Sequence, residues 1–69
     1  MVRKIDNPAR RVLRLKAAAH YLSVSAHVIR GFVQRGELPV VKLSDNIHAP
    51  WLLDQKDLDA LIERRKTTL

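Results

Sequence analysis

Cysteine is absent from the 69 residues, so neither a disulfide framework nor a thiolate metal site holds this chain together. Aromatic side chains are almost as scarce, with one Phe, one Tyr and one Trp. No apolar run approaches the ~18–20 residues of a membrane span, and no signal-peptide pattern opens the sequence. A soluble, cytoplasmic protein is the expectation. The length suits one domain that buries about 60% of the surface its unfolded form exposes. A core that small rarely frames the concave pocket an enzyme needs. His20, His27 and His48 are scattered, without the spacing of a metal site. Asp57 and Asp59 stand two apart on one helix and point away from each other. With no Ser-His-Asp arrangement and no glycine-rich phosphate loop, the expectation is no catalysis, no metal and no cofactor.

Acidic residues are missing from one half of the chain in particular. Residues 1–35 hold Arg3, Lys4, Arg10, Arg11, Arg14, Lys16, Arg30 and Arg35 against Asp6 alone, a balance of +7. Residues 36–69 hold five basic and six acidic residues, a balance of −1. Clustered cations beside a near-neutral half give the electrostatic outline of a nucleic-acid binder. A solubilising surface with a cationic tail would give the same count.

Residues 1–12 lack a steady apolar period and contain Pro8. They are expected to form a flexible basic arm, either laid along DNA or simply a frayed terminus. From Leu15 the pattern turns helical: Leu15, Ala18, Ala19 and Leu22 fall at i, i+3, i+4 and i+7. The run breaks at Ser23-Val24-Ser25, where Ser23 takes the position most comfortable for glycine and Ser25 is a good N-cap. A second helix, about residues 26–35, repeats the stripe with Ile29, Phe32 and Val33, and Gly36 ends it. Two short helices with small residues at their crossing predict a helix-turn-helix, Val24 sitting in the turn. Residues 40–43 and 51–53 read as a two-stranded wing, with Trp51 anchoring a core and Pro50 confined to an edge or loop. Asp54 then caps a last helix buried through Leu58, Leu61 and Ile62, with Asp57 at the N3 place of a capping box. The fold class is α+β, a small winged helix-turn-helix over residues 13–66, and residues 67–69 should fray.

With the second helix in a major groove, Ser25, Ala26, His27, Arg30, Gln34 and Arg35 point away from the apolar stripe. His27 and Arg30 are the candidates for base edges or backbone, Arg30 in a bidentate way. Gln34 and Arg35 suit phosphate, as do Arg14 and Lys16 at the first helix and Arg10 and Arg11 in the arm. Lys42, Asn46 and His48 would carry the wing to an adjacent minor groove. Gly31, costly in mid-helix, admits the close approach of either DNA or another helix.

Residues 13–64 resemble the excisionase-type winged-helix domain, a relative of the DNA-binding domains of MerR-like regulators. Ala18-Ala19, Leu22, Val24-Ser25, Ile29, Arg35-Gly36-Glu37-Leu38-Pro39, Trp51 and Asp57-Leu58 carry the likeness. The resemblance implies a double-stranded DNA binder whose second helix enters the major groove, with Arg30 at the DNA. It further implies an architectural protein that bends DNA and steers a tyrosine or serine integrase toward excision, with neighbouring copies on adjacent sites. A small transcriptional regulator of the same fold is the alternative. The chain departs from the family's pattern at Arg14, where Thr or Ser is usual, at Ser23 in place of glycine, and at Gly31 in place of a larger residue. Ile47-His48-Ala49-Pro50 lengthens the wing.

Overall fold

The computed structural model describes residues 10–69. Strand β1 (Val12–Arg14) leads into helix α1 (Leu15–Leu22) and helix α2 (Ala26–Gln34). A long loop follows, then strand β2 (Leu52–Asp54) and helix α3 (Gln55–Arg65). Three helices on a two-stranded antiparallel sheet make the fold α+β, consistent with a winged helix-turn-helix.

Arg14 stands at the N-terminal boundary of α1 and gives it no side-chain cap. Ser25 caps α2 by accepting from the Val28 N–H at 3.3 Å. Both helices end in one hydrogen-bond arrangement. After α1, Ser23 and Val24 donate to the His20 and Ala19 carbonyls; after α2, Gly36 and Glu37 donate to those of Val33 and Phe32. This terminal motif needs a left-handed residue. Gly36 supplies it at φ 80°, whereas Ser23 reaches φ 59° against the steric resistance of its Cβ.

Ala18 and Ala19 of α1 meet Ile29 of α2, and Leu38, Leu53, Leu58 and Leu61 complete the core, each 5% exposed or less. A leucine or isoleucine buried this fully contributes roughly 1.5–3 kcal/mol. Phe32 and Val33 are partly buried against this cluster. One core expectation needs correction, that of Ile62. It is 39% exposed, at the rim of α3 beside the inward line of Leu58 and Leu61. Leu38, not singled out as core from the sequence, is buried just after the turn at Gly36.

The sheet departs most from expectation. Residues 40–43 do not pair as a strand with residues 51–53. Val41 alone bridges Leu52, through hydrogen bonds of 2.7 and 3.0 Å. The other edge of β2 is taken by β1, in the register Val12↔Asp54, Leu13↔Leu53, Arg14↔Leu52. The strand thus begins at Val12, inside the expected arm; of that arm, residues 1–9 lie outside the described residues. Within the loop, Asn46 turns the chain by accepting from the His48 N–H and donating to Ser44 Oγ, and Pro50 offers no donor to a ladder. A regular hairpin cannot propagate past those two features.

Candidate nucleic-acid interface

The capped start of α2 fixes which of its faces turns outward. Ala26, Arg30 and Gln34 stand at i, i+4 and i+8, a line running beside that of the buried Ile29 and the partly buried Val33. This line forms one wall of a groove. Arg14 and Lys16, at the junction of β1 and α1, form a second wall with Arg10 and His20. Ala49, Pro50 and Trp51, from the loop before β2, form the third. Among the described residues, four cations face this groove and no carboxylate lines it. Among the described residues, Arg10, Arg14, Lys16 and Arg30 form no ion pair, and all four are exposed. A concave surface lined by one sign of charge concentrates its field on whatever enters.

The structure therefore brings Arg10, Arg14, Lys16, Ala26, Arg30 and Gln34 together, out of the residues selected from the sequence. It disperses the others. Ser25 is engaged in capping, and His27 is exposed on α2, one turn before Gly31. Arg11 lies across the sheet, donating to Asp54 Oδ2 at 3.1 and 3.3 Å. Arg35 folds toward α3, donating to Glu37 Oε2 at 3.2 Å with its guanidinium 5.0 Å from the Phe32 ring centre. Lys42, Asn46 and His48 are exposed on the loop, outside the groove lining.

Gly31 has a third explanation that the sequence did not suggest. A Cβ there would stand 3.1 Å from Nη1 of Arg35, and nothing else but that guanidinium lies within 4 Å. The glycine gives room to Arg35, with no helix packed against it. Trp51 also needs correction: it is half-buried in the groove wall rather than packed into the central cluster. Pro50 was the available signal, since a residue following a ladder break sits at the sheet's margin, where a large ring faces outward.

Three carboxylates outside the groove lining are held by hydrogen bonds. Glu37 accepts from Arg65 and Arg35, which hold its carboxyl below the usual range. Asp54 accepts from the Lys56 N–H at 3.0 Å and from Arg11, and its carboxyl is lowered by both. Tyr21 donates to Asp59 at 2.6 Å, tying α1 to α3, and this bond raises the phenol above its ordinary value. Among the described residues, no group of three His, Cys, Asp or Glu side chains could hold a metal. No helix there is long and apolar enough to cross a membrane.

Residues 12–66 match a family model described as a helix-turn-helix domain. Neither a curated protein nor a solved structure matches the chain.

Proposed function

The chain belongs to the helix-turn-helix domain family, a DNA-binding class, and on that premise we propose that it is a non-catalytic, architectural binder of double-stranded DNA that acts as an excisionase. It reads a site with α2, bends the duplex and directs an integrase toward excision. The observation that carries duplex binding is Arg30, set on the outward line of α2 and facing a groove lined, among the described residues, by cations and no carboxylate. Guanidinium groups bond phosphate or the O6/N7 edge of guanine in a bidentate way, and Arg14 and Lys16 are placed to hold the flanking backbone. What supports the excisionase role is the likeness of residues 13–64 to that family's pattern. A single module of this kind buries only about 600–1,000 Å² against DNA, so binding by neighbouring copies on adjacent sites supplies the remaining affinity.

The decisive experiment is recombination in vitro with the integrase and attachment-site DNA. Addition of the chain is expected to raise the excision rate, and circularly permuted fragments should migrate according to the position of the bound site. An excision rate that stays constant while the duplex is occupied would transfer the assignment to a small winged-helix transcription regulator.

A further inference from the structure

Leu43 and Ile47 are 82% and 83% exposed, and both lie in the loop between α2 and β2. The loop does not hide them, although it has internal order. Asn46 is held by Ser44 Oγ at 3.0 Å, His48 by Asn46 Oδ1 at 2.8 Å and Ala49 by the Asn46 carbonyl at 2.9 Å. Directly after this turn come Ala49, Pro50 and Trp51, one wall of the cation-lined groove. A duplex seated against Arg30 would meet residues 49–51, which directly follow the loop's turn.

Two isolated apolar side chains, flanked by Lys42, Ser44, Asp45, Asn46 and His48, are far too little for a protein partner. A stable interface buries about 800 Å² on each side. A wedge in DNA needs only one or two such side chains, and Leu and Ile are among those that part a base step in a minor groove. We propose that this loop inserts Leu43 and Ile47 into the minor groove beside the site of α2, opening a base step and kinking the duplex. Lys42 and His48 flank the insertion and face its phosphates. The proposal rests on the duplex-binding reading, and it makes the loop, rather than α2, the element that bends the DNA.

The test uses the whole chain and a duplex that the wild-type chain selects from a random-sequence pool, with 2-aminopurine scanned through it. Unstacking brightens this base. Wild type and L43M/I47M should brighten one step outside the α2 contact and show a position-dependent mobility in permuted fragments. L43A/I47A should lose both signals, yet keep its helical circular dichroism and the wild-type salt dependence of binding. Equal brightening by L43A/I47A, or no brightened step under bound wild type, would overturn the wedge while leaving duplex binding intact. Failure of wild type to retain any duplex from the pool would overturn the duplex-binding reading and the wedge with it.

Discussion

Among the described residues, Arg10, Arg14, Lys16 and Arg30 line a groove without a carboxylate, whereas Arg11 and Lys66 each pair with one and Arg35 and Arg65 share Glu37. The two faces carry equal numbers of these cations and differ in what surrounds them. On the α3 side, Glu37 gathers Arg35 and Arg65, its carbonyl receives Arg64, and both guanidiniums lie over Phe32. Glu37 thus offsets part of that charge within a few ångströms, and a carboxylate stands at its centre. On the groove side no described carboxylate pairs with them. Net charge thus says that a chain attracts polyanions, and pairing says where it does so.

The strongest way to break this comparison is to remove one cation from each side. Arg30→Ala is expected to weaken duplex binding by about 1–3 kcal/mol if the guanidinium reads a base. Arg65→Ala should leave the affinity unchanged and alter only the melting temperature. Anisotropy titrations of the two variants decide, and equal losses would erase the distinction between the faces.

A smaller effect sharpens the same contrast through counterions. Each phosphate contact adds about 0.9 to the slope of log affinity against log salt. Lys16→Ala should lower the measured slope by one such step, and Lys66→Ala should leave it where it was.

The turn joining the two helices permits a test of stability without charge. Ser23 holds φ 59° in the position equivalent to Gly36. Ser23→Gly should stabilise the fold by about 1 kcal/mol, a rise of about 4–8 °C in melting temperature for a domain this small. Duplex affinity should not move, because the groove's side chains stay in place.

The smallest effect belongs to acid. Glu37 and Asp54 have carboxyls lowered in the folded chain. The stability they supply is complete above the unfolded carboxylate value of about 4 and is lost as pH falls through the depressed folded value. Melting temperature should therefore decline below about pH 4. Glu37→Gln should make that decline shallower and leave binding at neutral pH untouched.

Much of the fold was legible because its signals are local. The apolar spacing of α1 and α2, the Ser25 cap, the left-handed Gly36 and the Asp54 cap of α3 are each decided within one or two turns of chain. The sheet was not legible. A strand of three residues is too short to show a period, and the partner of β2 lies some forty positions earlier, across two helices. The groove was half legible. Arg30 and Lys16 follow from helix phase, whereas Arg11 and Arg35 carry the same charge and lead elsewhere.

By itself the sequence determined where this chain is helical, which line of each helix is apolar, and that its cations crowd the first half. Those follow from near-neighbour sterics and from the hydrophobic effect acting on a fixed helical period. Only the tertiary structure decided which strand completes the sheet, and which cations meet a carboxylate. Pairing depends on distances across the fold, set when the core that Ile29, Leu53 and Leu58 share brings Glu37 to Arg65 and Asp54 to Arg11.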